Sequence, residues 1–190
     1  MTYPSFSVGE VLTASDMNAV GLWKINTTTF NNEAAKSIDN VFSADFTNYK
    51  IVVQLYGSSN GNIVFFRLIN STGTERATNY YAAAWGVDYA SGPTTLYSTG
   101  ARTTDLPIGY PSATANAQPL TADLTIGNPW SSSTRTVLTG SQTGLNDGTA
   151  FIGGNANGAY LSAERHRGFW VRNTAATGLY GTVSVYGYRA

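Results

Sequence analysis

Apolar and polar positions alternate with a period of two along most of this chain. In Tyr49-Lys50-Ile51-Val52-Val53-Gln54-Leu55-Tyr56, residues Ile51, Val53 and Leu55 fall on one side of an extended backbone, the pattern of a half-buried strand. Ile63-Val64-Phe65-Phe66-Arg67-Leu68-Ile69 forms a second apolar run. Between them stands Ser59-Asn60-Gly61-Asn62, and Asn-Gly between apolar runs is a strong hairpin signal, so these strands are expected to pair. Further strands are expected at 79–85, 94–98, 120–126, 136–141, 159–163, 168–172 and 181–188. Ser91-Gly92-Pro93, Tyr110-Pro111, Gly127-Asn128-Pro129, Asn146-Asp147-Gly148 and Asn157-Gly158 punctuate them. No helical window separates these strands and no 20–50-residue repeat runs through them, which excludes propeller and solenoid folds. The expected class is all-β, an antiparallel β-sandwich of jelly-roll-like form. Residues 100–118 are the least regular and are expected to form a long connection or exposed insertion.

The first twenty residues follow a different rule. Phe6-Ser7-Val8-Gly9-Glu10-Val11 reads as an extended arm, and Thr13-Ala14-Ser15-Asp16 matches a helix-capping pattern. Thr13 is placed to accept from an amide of the first turn, with Asp16 favoured by the helix dipole. Leu12 and Met17 flank the cap as a hydrophobic staple, and Gly21 offers a stop after Val20. A helix of about two turns is unstable alone in water and must dock on something. The expected organisation is therefore an arm with a short helix over residues 1–22, serving attachment, and a β-sandwich domain over residues 23–190.

Composition sharpens this picture. The chain has 190 residues, long enough for one all-β domain with a real core. Charged residues make up 12%, about half the share of an average soluble domain, and the formal net charge is zero. A neutral chain has no long-range attraction for nucleic acid, and no apolar stretch is long enough to insert in a membrane. The absence of cysteine excludes disulfides and thiolate metal sites, and nothing in the motifs calls for a cofactor. The N-terminus lacks the basic and apolar regions of a secretory signal.

Candidate chemistry is sparse. His166 is the sole histidine, set in Glu164-Arg165-His166-Arg167-Gly168, and is expected in a polar turn. Glu164, Arg165, His166 and Arg167 are accordingly candidates for a polar subunit contact, and His166 has no adjacent catalytic motif. Asp39, Asp45, Asp88, Asp105, Asp123 and Glu164 are isolated in sequence, so a glycosidase pair is not indicated; Asp39 and Asp147 suit turns. Gly153-Gly154-Asn155-Ala156-Asn157-Gly158 lacks the helix a phosphate loop needs and is expected to be a tight β connection. Aromatic residues reach 13% and cluster at Tyr80, Tyr81, Trp85 and Tyr89. Tyr80 and Tyr81 must point to opposite faces of a strand, so one of them is expected outside the core. These four are candidates for a glycan or subunit contact.

Two segments carry a resemblance. Phe6 to Asn18, with its Gly9-Glu10-Val11-Leu12-Thr13-Ala14-Ser15-Asp16-Met17-Asn18 run, resembles the opening of tailed-bacteriophage structural proteins, especially tail-fibre and minor tail components. Ile38 to Ser43 with Asn48 to Ile51, and the closing Gly181-Thr182-Val183-Ser184-Val185-Tyr186-Gly187-Tyr188-Arg189, look like the entry and last strand of β domains in the same proteins. The resemblance implies a non-enzymatic virion component, a homotrimer held to other virion proteins by its N-terminal segment, with Phe6, Val11, Leu12, Met17 and Val20 docking. It implies assembly in the host cytoplasm and release by lysis. The chain has no shaft of repeats, so a compact appendage or capsid-decorating knob fits better than a long fibre. The alternatives are a host-glycan receptor-binding module and, further off, a small polysaccharide depolymerase.

Overall fold

The computed structural model describes residues 21–59, 62–89, 95–98, 101–113, 118–146 and 150–188. The arm and short helix expected at the N-terminus lie, apart from Gly21 and Leu22, outside the described residues, as do Phe6, Val11, Leu12, Met17 and Val20. The described residues are all-β and contain no helix. Their twelve strands are β1 (Trp23–Glu33), β2 (Ala35–Ile38), β3 (Asn48–Gly57), β4 (Val64–Asn70), β5 (Tyr80–Asp88), β6 (Thr95–Ser98), β7 (Leu106–Gly109), β8 (Leu120–Gly127), β9 (Val137–Asn146), β10 (Ala150–Tyr160), β11 (His166–Asn173) and β12 (Leu179–Tyr188).

They form two antiparallel sheets, one of eight strands in the order β1-β12-β3-β8-β9-β10-β5-β6 and one of four in the order β2-β11-β4-β7. A nested scheme underlies this order: β1 pairs with β12, β2 with β11, β3 with β8 and β4 with β7. Two hairpins, β5–β6 and β9–β10, interrupt the nest and extend the larger sheet beyond β8. Ile51, Val53 and Leu55 of β3, Leu120, Leu124 and Ile126 of β8, and Phe66 and Leu68 of β4 bury their side chains in one core between the sheets.

Four expectations are corrected. The segments read as a hairpin around Asn60-Gly61 belong to different sheets, β3 in the larger and β4 in the smaller. Asn-Gly signals a reversal of direction, but both strands are apolar enough to be central, and burial sends them to opposite layers. Residues 100–118 contain β7, whose four residues are all buried. Gly153–Gly158 lies inside β10 rather than in a turn, and Asn157-Gly158 is strand interior. Strands β1 and β2 carry little apolar alternation and escape the pattern altogether, since β1 shows one buried residue, Phe30.

The glycines of β10 have a packing reason. Strand β7, at the edge of the smaller sheet, lies across the inner face of β5, β9 and β10. That inner face carries Ala82, Ala84 and Gly86 on β5, Gly140 on β9, and Gly154, Ala156 and Gly158 on β10. A methyl at Gly158 would meet Ala82 and the Leu106 side chain, and one at Gly154 would run into the Trp85 carbonyl. Small residues let the larger sheet curl onto β7.

The connections gather at two ends. At one, Gly57 N donates to Ser112 O (2.7 Å), Ser58 N to Gly178 O (2.8 Å) and Asn173 N to Ala34 O (3.2 Å). At the other, Val41 N donates to Arg167 O (2.8 Å), Asn128 N to Thr47 O (2.8 Å) and His166 N to Pro129 O (2.7 Å). Trp23 pairs with Gly187, itself opposite Tyr49, so the first and last described strands begin and end at this second end.

Gly154→Ala is expected to lower stability by about 1–3 kcal/mol, the usual cost of forcing extra volume into a packed interior. A urea midpoint unchanged from wild type would contradict the close approach of β5 and β10.

Candidate functional site

Three groupings of side chains stand out. The first surrounds His166, which opens β11 and is fully buried, where a polar turn was expected. Its Nδ1 lies 2.9 Å from Thr136 Oγ1, its ring meets that of Tyr160 edge-on at 4.9 Å, and its Nε2 is 3.7 Å from Glu164 Oε1. Glu164 accepts from Nε of Arg76 at 2.7 Å and from Nη2 of the same guanidinium. Burial raises the Glu164 carboxyl, but hydrogen bonds from Arg76 and Tyr160 outweigh it and leave the group below its ordinary value. Burial pushes His166 down to about 4, against the pull of Glu164, so the ring is neutral at pH 7. Hydroxyl, imidazole and carboxylate stand in the order of a nucleophile, base and orienter, yet Thr136 and His166 are both sealed from solvent. The arrangement ties the β8–β9 and β10–β11 connections together, and a buried His166 offers no surface to a neighbouring subunit. Arg167 pairs with Asp39, whose Oδ1 also accepts from Asn40 N at 2.8 Å as a turn aspartate does, and Arg165 stacks 5.9 Å from the Trp130 ring.

The second grouping covers the outer face of the smaller sheet. Arg172 Nη2 is 2.7 Å from Glu75 Oε2, Arg67 Nη1 is 3.2 Å from Glu75 Oε1, and Arg67 Nη2 is 3.9 Å from Asp105 Oδ2. Arg102 Nη2 closes the chain at 2.7 Å from the same Asp105 oxygen. The guanidiniums also lie over rings: Arg67 and Arg102 on Phe65 at 5.2 and 5.7 Å, and Arg172 on Trp170 at 5.3 Å. Each charge is met by its neighbour, and the buried Asp105 accepts from Thr104 as well. The arrangement is a paired-charge cover for the sheet, with Arg67 Nε and Arg172 Nε buried and without a hydrogen-bond partner.

The third grouping is the aromatic cluster on and beyond β5. Tyr80 faces the core, donates its hydroxyl to Arg76 O at 2.8 Å and stacks edge-on against Tyr160. Tyr81 points the other way, so the pair divides between the faces as the strand geometry requires. Trp85 shares the outer face with Tyr81, and Tyr89 follows the strand, its ring 5.7 Å from that of Phe151. Opposite them on β10 stand Asn157, facing Ala83, and Asn155, facing Trp85. On β9 beyond these lie Thr139, Ser141 and Thr143. The two asparagines are missing from the sequence reading, which took their segment for a connection. The signal was there in the alternation of Gly154, Ala156 and Gly158 with Asn155 and Asn157.

Among the described residues, no cluster of three or more His, Cys, Asp or Glu side chains could hold a metal ion. No known protein-family model, no curated protein and no solved structure matches this chain.

The His166 pocket makes stability depend on pH with a definite sign. The unfolded ring titrates near 6.5 and the folded one near 4, so the unfolded chain takes up the proton first. Stability is full above pH 6.5 and falls as pH drops towards 4, by roughly 3 kcal/mol from this group at about 1.4 kcal/mol per unit. Urea midpoints measured from pH 7.5 to 4 are expected to show this decline, and His166→Phe to flatten it. An equal decline in the variant would remove the assignment.

Proposed function

We propose that the protein is a non-enzymatic structural component of a tailed-bacteriophage particle, a compact appendage or decorating knob fixed by its N-terminal segment. The observation that carries this reading is the nested pairing of β1 with β12, β2 with β11, β3 with β8 and β4 with β7. We read that order, in two packed sheets, as a jelly-roll sandwich with two inserted hairpins. This architecture serves viral capsid and lectin domains. The resemblance of residues 6–18 to the opening of tail-fibre and minor tail proteins supports the same reading from the other end of the chain.

The fold gives such an attachment a direction. Strand β1 begins at the end where the connections around Val41, Asn128 and His166 gather. Anchoring there turns the connections around Ser58, Ser112 and Gly178 away from the particle. Arg165 and the Arg167–Asp39 pair then lie on the particle side, where a neighbouring subunit or virion protein would sit.

The reading is tested by light scattering on the intact chain and on a version lacking residues 1–22. A mass three times that of the chain is expected for both, placing self-association in the β body and leaving the arm for the particle. Monomers in both would overturn the reading.

A further inference from the structure

Strand β5 reverses the usual amphipathic arrangement. A strand on the surface of a sandwich normally sends its large apolar side chains inward. On β5 beyond Tyr80, which faces the core, the inward residues are Ala82, Ala84 and Gly86, while Tyr81 and Trp85 stand outward at 69% and 49% exposure, with Tyr89 just beyond at 58%. The close approach of β7 accounts for the small inward residues. It does not account for the rings outside. Four of the five exposed large apolar side chains among the described residues, with Val137 as the fourth, lie on or beside this face. Such concentration of exposed apolar surface marks an interaction site.

The surroundings define the occupant. Outward positions of β5, β9 and β10 hold no charged residue: beside the rings stand Asn155, Asn157, Thr139, Ser141 and Thr143. The nearest outward charge, Asp123 on β8, is neutralised by Lys50 at 2.7 Å. A hollow of about 260 Å³ opens beside Tyr81, bounded by Ala83, Ala101 and Asn157. The rings recur every fourth residue, about 13 Å apart at the rise of a strand, so the strip is about 26 Å long, widened at Tyr89 by the Phe151 ring. A protein partner needs a broad patch of about 800 Å² with a contiguous apolar centre, which this strip does not offer. An extended chain of sugar rings matches it in each respect. Pyranose C–H faces stack on aromatic rings, their hydroxyls pair with amides and hydroxyls, and an uncharged polymer meets no unpaired charge.

We propose that the strip Tyr81–Trp85–Tyr89, flanked by Asn155 and Asn157, binds an uncharged polysaccharide chain lying along β5. The inference rests on this sheet face alone and holds whether or not the particle reading does. The experiment is native affinity electrophoresis of the full chain in gels containing dextran, galactomannan or mixed-linkage β-glucan, with alginate as the anionic comparison. Retardation by at least one neutral polymer and none by alginate is expected. Trp85→Ala and Tyr81→Ala should each weaken it about tenfold, roughly the worth of one ring contact, and Thr27→Ala, on the far side of the sheet, should not. Both rings are exposed, and the urea midpoints of the variants should match wild type. Failure of all three neutral polymers to retard the protein would overturn the proposal, as would retardation that both variants leave intact. A loss of oligomer mass in Trp85→Ala and Tyr81→Ala by light scattering would make the strip a contact between copies of the chain and would equally overturn it. A monomeric but retarded wild type would sink the particle reading and leave this one standing.

Discussion

The close approach between β7 and the inner face of β5, β9 and β10 is the constraint on which much of the rest depends. Leu106 and Ile108 of β7 are fully buried, and they occupy the volume that core side chains of the facing strands would otherwise fill. The facing strands present mostly glycine and alanine, with the buried Gln142 of β9 beside Gly109, and any Cβ at Gly86, Gly140 or Gly154 would collide with backbone of the next strand. An interior packed at crystal-like density tolerates this only because both sides are matched. Beyond the buried Tyr80, the rings of β5, Tyr81 and Trp85, stand on the other face. The steric fact sets the inner face of this strand and leaves its outer face open to a separate demand.

The two outer faces solve the problem of solvent contact in opposite ways. The smaller sheet is covered by Arg172, Glu75, Arg67, Asp105 and Arg102, each within ion-pair reach of the next, with guanidiniums resting on Phe65 and Trp170. Exposed pairs of this kind contribute little singly, and a buried carboxylate such as Asp105 must be paired to avoid a large penalty. The larger sheet avoids charge over most of its breadth. Thr27 and Ser184 share a hydrogen bond at 2.9 Å across β1 and β12, and Thr139 donates to Asn157 at 2.8 Å across β9 and β10. The smaller sheet is thus covered by linked charges, while the outward positions of β5, β9 and β10 in the larger sheet are neutral and hydroxyl-rich.

The legible parts of the fold were those where alternation survives. Strands β3 and β8 bury every second residue, β12 does so from Val183 onward, and their limits follow from the pattern to within two residues. What failed is physical rather than accidental. Pairing between β3 and β4 is decided by which layer each strand enters, and a turn signal between them is silent on that. Strand β7 hides in a Thr-, Ala- and Pro-rich stretch because four buried residues leave no period to read. The glycines of β10 imitate a loop because the reason for them, β7, lies about fifty residues away in sequence. His166 was read from its charged neighbours, whereas its burial depends on Thr136 and Tyr160, which sequence does not bring near. The division between Tyr80 and Tyr81 was legible, since adjacent residues on a strand cannot share a face.

The two hairpins explain how an exposed aromatic face arises without disturbing the frame. The nested pairs close over great sequence distances, with Thr27 and Ser184 separated by 157 positions, so their register is costly to change. The hairpins β5–β6 and β9–β10 enter this frame at the β4-to-β7 and β8-to-β11 connections, and both depart from the end where β1 begins and β12 ends. Although separate in sequence, they become neighbours through the pairing of β10 with β5, and only together do they form the neutral aromatic face. Trp85 comes from one hairpin and Asn155 from the other, in direct register. A face assembled from two insertions can vary in its side chains while β1, β12, β3 and β8 keep their pairs. That is where a fold of this kind has room for recognition, since function is carried by sites grafted on a scaffold.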